Sequence, residues 1–136
     1  MNLDTIKKTL LLGESQNVEY LVDTPVSDVQ MIGRDICAFL NSGGGYVVYG
    51  VGQDGEIKGV SIDSRRLINL EKALSGEITP KALVSFEKHE IEDKQLLVIE
   101  IPAGKDIPYA YQNEIFIRDG EQTIRADVEA IRNMVT

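Results

Sequence analysis

The most informative part of the chain is residues 36–51, which read ICAFLNSGGGYVVYGV. Before its glycines, apolar positions recur at helical spacing and predict one stripe of an amphipathic helix, made of Val29, Ile32, Ile36, Phe39 and Leu40. After the glycines, residues 46–51 are β-branched and aromatic with both faces apolar, which predicts a central strand. The stretch therefore predicts a helix that turns through glycines into a buried strand.

Shorter patterns around this stretch predict the remaining elements. Ser27 followed by Gln30 is typical of a capping box, which would begin the helix before the glycines. Helical spacing predicts three more helices, at residues 3–10, 67–74 and 128–134, the last capped by Asp127. The other predicted strands are residues 18–22, 56–60, 83–91, 95–101, 109–111 and 115–118.

These elements predict one domain over residues 1–136. Residues 83–91 and 95–101 alternate in polarity and flank an acidic turn, which is typical of an antiparallel hairpin. Because strands cluster in hairpins and helices separate only some of them, the fold class is α+β. We expect a mixed, largely antiparallel sheet with helices packed on it.

The composition restricts the class of protein. The chain has 43% hydrophobic and 26% charged residues, which is ordinary for a globular domain. Its one cysteine, Cys37, excludes an internal disulfide and favours a reducing compartment. No segment has the ~20 consecutive apolar residues of a membrane span. We therefore expect a cytoplasmic protein with no membrane partner.

The glycine stretch is the first candidate site. Asn41, Gly43, Gly44 and Gly45 form a loop whose backbone can approach a ligand closely and offer amides to a phosphate. No Gly-Lys-Ser/Thr follows, however, and the C-terminus of a helix has the wrong dipole sign for an anion. The alternative, a helix C-cap with close packing, is the preferred interpretation.

Three acidic residues are the second candidate site. Glu14, Glu19 and Asp54 would supply the oxygen ligands that Mg²⁺ or Mn²⁺ needs for cleaving a phosphodiester. The chain has 22 acidic residues, and most carboxylates in proteins are solvated surface groups. The sequence spacing by itself therefore favours surface roles over a catalytic metal site.

The charge balance limits binding of nucleic acid. The chain has 14 basic and 22 acidic residues, and the net charge of −8 repels phosphate at long range. Residues 41–75 are neutral, with four residues of each sign. We expect weak phosphate contacts from a few cations, namely Lys58, Arg65, Arg66 and Arg118, although a salt bridge is the preferred role of Arg118. Tighter binding would require a partner domain or a homo-oligomer.

Four segments follow one another in an order that a known domain family shares. They are Glu14-Ser15 with residues 18–20, residues 36–51, residues 54–60, and Tyr109 with residues 114–120. Through them the chain resembles the Schlafen AlbA-type domain family over about residues 13–135. The resemblance implies an α+β core and a role in binding DNA or RNA, including in bacterial transcriptional regulators.

The resemblance also implies a nuclease site, from which this chain departs. In vertebrate Schlafen proteins, paired copies of such a domain cut tRNA and rRNA with three metal-binding acids. The first two match Glu14 and Glu19, but Gly52 stands where the third is expected, with Asp54 two residues further on. Leu21 also replaces the lysine of the family's first strand. Both departures argue against nuclease activity.

The sequence leaves three functions open. The preferred one is a regulatory module that binds nucleic acid and needs no cofactor. The second is a ribonuclease that uses Mg²⁺ or Mn²⁺ at Glu14, Glu19 and Asp54. The third is a module that binds a nucleotide-like small ligand at the glycines or another protein.

Overall fold

The computed structural model describes residues 3–22 and 28–135. Four helices lie in these residues: α1 (Leu3–Leu12), α2 (Asp28–Asn41), α3 (Ser64–Ser75) and α4 (Val128–Val135). The strands are β1 (Val18–Leu21), β2 (Gly45–Tyr49), β3 (Ile78–Thr79), β4 (Ser85–Ile91), β5 (Lys94–Ile101), β6 (Ala110–Tyr111), β7 (Phe116–Asp119) and β8 (Gln122–Arg125). The predicted α+β class is confirmed.

The main sheet has four strands in the order β1-β2-β5-β4. β1 runs parallel to β2, whereas β5 pairs antiparallel with both β2 and β4, so the sheet is mixed and largely antiparallel. β2 lies in the interior of the sheet, as its two apolar faces predicted. Its Val47 and Val48 pair with Ile99 and Val98 of β5.

Helices cover both faces of this sheet. On one face, Ile36 and Phe39 of α2 belong to the same buried cluster as Val47 and Ile99. On the other face, Ile6 of α1 packs in a second buried cluster with neighbouring strand residues that include Tyr20, Val48 and Val98. Alternate residues of a strand point to opposite faces, which is why Val47 and Val48 enter different clusters. Both clusters stabilise the position of β2.

The hairpin predicted at residues 83–91 and 95–101 is confirmed as β4 and β5. Its turn is tight, with Glu92 and Asp93 both at positive φ. The predicted cap of the last helix is also present, because Asp127 Oδ1 accepts a hydrogen bond from the backbone N–H of Ala130 at 2.8 Å. The predicted capping box at Ser27 lies outside the described residues. No helix within those residues combines the length and the apolar content needed to cross a bilayer.

The strand predicted at residues 56–60 is wrong. Only one isolated bridge, between Val51 and Ile57, pairs this segment with the chain before it. The backbone N–H groups of Lys58 and Gly59 both donate to the carbonyl of Gly50, and the two glycines have φ of +82° and +113°. Such backbone angles interrupt a pleated strand, so the segment forms a loop against β5.

The strands predicted at residues 109–111 and 115–118 are present as β6 and β7, but they do not pair with each other. Instead, β6 pairs with β3, and β7 pairs with β8. Neither pairing was predicted from the sequence. Between β6 and β7, Gln112 and Asn113 take positive φ and reverse the chain, leaving only a bridge between Tyr111 and Glu114. The chain therefore turns too soon for the two strands to form a longer ladder.

Candidate functional site

The glycine stretch ends α2 and turns the chain into β2. Gly43 and Gly44 have φ of +94° and +83°, and the N–H of Gly44 donates to the carbonyl of Phe39 at 2.7 Å. A Cβ on Gly44 would lie 2.8 Å from the backbone atoms Ala103 N and Ile101 O, whereas one on Gly43 would meet no atom of the described residues within 4 Å. Gly44 is therefore required for close backbone packing.

The Asn41 side chain joins the end of α2 to the C-terminal part of the chain. Its Nδ2 donates to the carbonyls of Tyr109 and Phe116 at 2.9 and 2.8 Å, and its Oδ1 accepts from the N–H of Tyr109 at 2.7 Å. A Cβ on Gly45 would meet the carbonyl of Asn17 at 2.4 Å. In the predicted ligand loop, only Gly43 faces open space, which favours the structural interpretation.

Arg118, on β7, is buried rather than available to phosphate. Its side chain has 0% exposure and its guanidinium lies over the ring of Phe39, 4.6 Å from the centroid. The guanidinium donates to Glu19 Oε1 at 3.0 Å and to the carbonyls of Ser15 and Gln16 at 2.8 and 3.3 Å. The predicted phosphate contact of Arg118 is therefore corrected, since its guanidinium bonds to the protein instead.

A buried carboxylate extends this arrangement. Thr123 Oγ1 accepts a hydrogen bond from Arg118 at 3.0 Å and donates one to Asp35 Oδ1 at 2.6 Å. Asp35 is 4% exposed, and its buried Oδ2 has no hydrogen-bond partner among residues 3–22 and 28–135. Burial raises the pKa of Asp35 to about 7, against the opposing effects of Thr123 and Arg118.

Glu14 completes the group, which we call the Arg118 network (Glu14, Glu19, Asp35, Arg118 and Thr123). Burial, a hydrogen bond with Glu19 and the negative charge of Glu19 raise the pKa of Glu14 to about 8. At neutral pH Glu14 is therefore protonated and donates to the Glu19 carboxylate, which Arg118 neutralises. A divalent cation would have to displace this proton before it could use both carboxylates.

Asp54 lies apart from these acids. It is exposed in the turn after Gly52, where its Oδ1 accepts from the backbone N–H of Glu56 at 3.0 Å. In residues 3–22 and 28–135 no three His, Cys, Asp or Glu side chains are grouped so that they could hold a metal ion. The structure thus brings Glu14 and Glu19 together but does not bring Asp54 to them.

The other predicted cations differ in their exposure and in whether their side chains bond to the protein. Lys58 and Arg65 are exposed, and within the described part of the chain neither has an ion-pair partner. Arg66 is half-buried; its backbone N–H donates to Asp63 Oδ1 at 2.8 Å and its guanidinium to the carbonyl of Ser61. Lys58 and Arg65 are therefore the predicted cations with free charged groups.

Sequence reasoning missed Asp35 and Thr123. Asp35 interrupts the most apolar part of α2, where Ile32, Ile36 and Phe39 are fully buried. A single acid on a buried helix face is a usable signal, because carboxylates are rarely buried without a partner. Thr123 carried no such signal, since it lies in a strand that the sequence did not predict.

The Arg118 network should make stability depend on pH. Between the ordinary pKa of Asp35 and its value of about 7, the folded state binds a proton that the unfolded state has lost. Stability therefore falls as pH rises through this window, by roughly 2–3 kcal/mol between pH 5 and pH 7 at about 1.36 kcal/mol per pH unit. Glu14 acts in the same direction up to about pH 8. Urea unfolding at pH 5, 6, 7 and 8 measures the slope.

Two variants check the origin of this slope. Asp35→Asn removes the titrating group and keeps an oxygen for Thr123, so its free energy of unfolding should change less with pH. Asp106→Asn alters an exposed carboxylate elsewhere and should keep the original slope. A slope unaffected by Asp35→Asn would show that Asp35 is charged in the folded state throughout.

The sequence profile of the Schlafen AlbA_2 family matches residues 14–127. This range contains the whole Arg118 network, the glycine stretch and the main sheet. The chain belongs to the Schlafen AlbA_2 family. The family that the sequence resembles is thus confirmed, and the matched range begins at Glu14. No curated protein matches the chain by sequence.

Solved structures share the fold of this Schlafen AlbA_2 domain. The DIP2311 protein from Corynebacterium diphtheriae aligns with a TM-score of 0.66 and 16% identity over 82% of this chain. The alignment covers 22% of that protein, so the chain spans about a fifth of its length. The second is the N-terminal domain of a protein from Nitrosomonas europaea whose name relates it to the ATP-dependent DNA helicase RecG. It aligns with a TM-score of 0.54 and 18% identity, over 93% of this chain and 91% of that domain.

Proposed function

We propose that this Schlafen AlbA_2 domain is a regulatory module that binds nucleic acid weakly, through a few local cations. The observation that carries the proposal is the family match over residues 14–127. The name of one structural neighbour supports the proposal, because it relates that protein to the ATP-dependent DNA helicase RecG. The exposed side chains of Lys58 and Arg65 supply the charges that the proposal needs.

The contact surface is the neutral part of the chain around residues 58–66. Here Lys58 and Arg65 are exposed, and the hydrogen bond of Arg66 to the carbonyl of Ser61 holds its guanidinium close to the start of α3. With Arg118 buried and the Arg66 guanidinium bonded to the carbonyl of Ser61, Lys58 and Arg65 remain. Two phosphate contacts give a log–log salt slope of about −1.8 for duplex DNA and an affinity in the non-specific range of ~10⁻⁴–10⁻⁶ M. A partner domain or oligomer would add cations for tighter binding.

A salt titration tests this function. Fluorescence anisotropy with labelled duplex DNA and with tRNA should detect binding at low salt. The double variant Lys58→Gln/Arg65→Gln removes both contacts and should bring the slope close to zero and greatly weaken the binding. Lys105→Gln/Arg132→Gln changes two exposed cations elsewhere, lowers the net charge equally, and should keep the slope near its original value. Failure to bind either nucleic acid at low salt would reject the proposal.

The ribonuclease alternative is tested in the same titration. Glu14 and Glu19 are in contact, but Asp54 lies in a separate turn, and among the described residues no third carboxylate is grouped with the two so that it could hold a divalent ion. We expect no cleavage of tRNA when Mn²⁺ is added. Cleavage that Glu19→Gln abolishes, in a variant with unchanged melting temperature, would establish the alternative.

A further inference from the structure

A groove lies between the C-terminal half of α3 and the segment that leads into β4. Its volume is about 640 Å³, which is within the usual range for binding sites. The buried residues Ile36, Leu74 and Ile78 and the half-buried Phe86 give it an apolar floor. We call this cavity and its rim the α3–β4 groove.

The rim of the α3–β4 groove has apolar side chains that the described chain leaves uncovered. Leu83 lines the groove and is 92% exposed, and Val84 beside it is only half-buried. Outside the groove itself, Ile68 of α3 is 51% exposed and lies one turn before the groove-lining Lys72 on the same helical face. Apolar groups gathered around a concave surface are typical of a site that another molecule covers.

The strand beside the groove has an open edge. β4 is the last strand in the sheet order and pairs only with β5 within residues 3–22 and 28–135. Phe86 and Lys88 pair with Ile99 and Leu97, so they lie on the sheet face that α2 covers. A segment added to this edge would direct every second side chain toward the groove, since strand residues alternate between faces.

The charge of the groove is opposite to that of the whole chain. Its charged lining residues are two lysines, Lys72 and Lys81, and one acid, Glu71, whereas the whole chain has a net charge of −8. Neither lysine has an ion-pair partner in the described residues. An acidic side chain on a ligand would therefore find two free cations next to an apolar cavity.

We propose that the α3–β4 groove docks an extended segment of a protein partner, which pairs with the β4 edge and directs apolar and acidic side chains toward the groove. The outer edge of β4, which pairs with no other strand of the described residues, fits a peptide, and the apolar floor does not fit a phosphate chain. Along such a segment, apolar and acidic residues occupy every second position, because only that face reaches the groove. This site is separate from the proposed nucleic-acid contacts and does not depend on them.

Three labelled peptides test the proposal by fluorescence anisotropy. The first is Thr-Leu-Thr-Glu-Thr-Leu-Thr-Glu; the second has Lys for each Glu, and the third has Ser for each Leu. We expect the first to bind at least tenfold more tightly than either of the others, with slower amide exchange in β4. General attraction to an acidic protein would favour the Lys peptide instead. A preference for the Lys peptide, or no binding of the first peptide at about 1 mM, would overturn the proposal.

Exposed positions allow matched variants that keep the fold. Leu83→Ser and the double change Lys72→Glu/Lys81→Glu should each weaken binding of the first peptide about tenfold, and the charge reversal should favour the Lys peptide. Leu11→Ser is the control, because Leu11 is equally apolar and 87% exposed on α1. Lys58→Gln/Arg65→Gln should leave peptide affinity unchanged, so this proposal and the proposed function fail separately. Equal weakening by Leu83→Ser and Leu11→Ser would reject the groove as the site.

Discussion

Replacing Arg118 with methionine is expected to lower the free energy of unfolding by about 3–5 kcal/mol, since removing one partner of a buried pair leaves the other uncompensated. Glu19, whose side chain is 12% exposed, would lose its ion pair. The backbone carbonyls of Ser15 and Gln16 would lose hydrogen bonds as well. Urea unfolding followed by circular dichroism measures the change.

Two further variants separate charge from packing at this position. Arg118→Met/Glu19→Leu removes both charges, so it should recover part of the lost stability if the uncompensated carboxylate is the main cost. Arg65→Met changes an exposed arginine and should have an effect of about 0.5 kcal/mol or less. A loss below about 1 kcal/mol for Arg118→Met would show that the network contributes little to stability.

Replacing Gly44 with alanine is expected to cost about 2–4 kcal/mol. About 1 kcal/mol comes from placing a side chain at a φ of +83°, and the rest from overlap of the new Cβ with the backbone around Ile101 and Ala103. Backbone atoms cannot rotate away as a flexible side chain can, so the turn itself would have to shift. Thermal and urea unfolding of the variant give the change in stability.

Gly43 is the matched control for this substitution. Its φ of +94° gives alanine a similar conformational penalty, but its Cβ would enter open space. Gly43→Ala should therefore cost only about 1 kcal/mol. Equal effects at the two positions would show that conformational strain, rather than close packing against residues 101–103, determines the cost.

Short-range patterns of apolar and polar residues predicted the elements whose packing or pairing partners are close in the sequence. The two apolar faces of β2 predicted a central strand, and the alternation in β4 and β5 predicted their hairpin. The strand predicted at residues 56–60 is absent because glycines at positive φ interrupt its pleat. The spacing of apolar residues in a sequence does not indicate backbone angles. β3 has two residues and its partner β6 lies more than 30 positions away, so no local pattern could predict β3 or its pairing with β6.

The candidate site was predictable only in part, for a similar reason. Glu14 and Glu19 flank one turn, so their proximity follows from short-range geometry. The buried guanidinium of Arg118 bonds to the backbone carbonyls of Ser15 and Gln16. Every residue has a backbone carbonyl, so the residue types in a sequence do not indicate such partners. The position of Asp54 depends on the path of the loop that includes residues 56–60, which the sequence predicted as a strand.

The Arg118 network also constrains how the chain is completed during synthesis. Arg118 bonds to the carbonyl of Ser15, 103 positions earlier, and to Glu19, 99 positions earlier. At translation rates of about 5–20 residues per second, residues 15–19 wait roughly 5–20 seconds for this arginine to be added. Until then the segment that forms the first strand lacks the hydrogen bonds that join it to β7. Ribosome-bound chains that end before residue 118 should therefore be more sensitive to protease near residues 14–19 than longer ones.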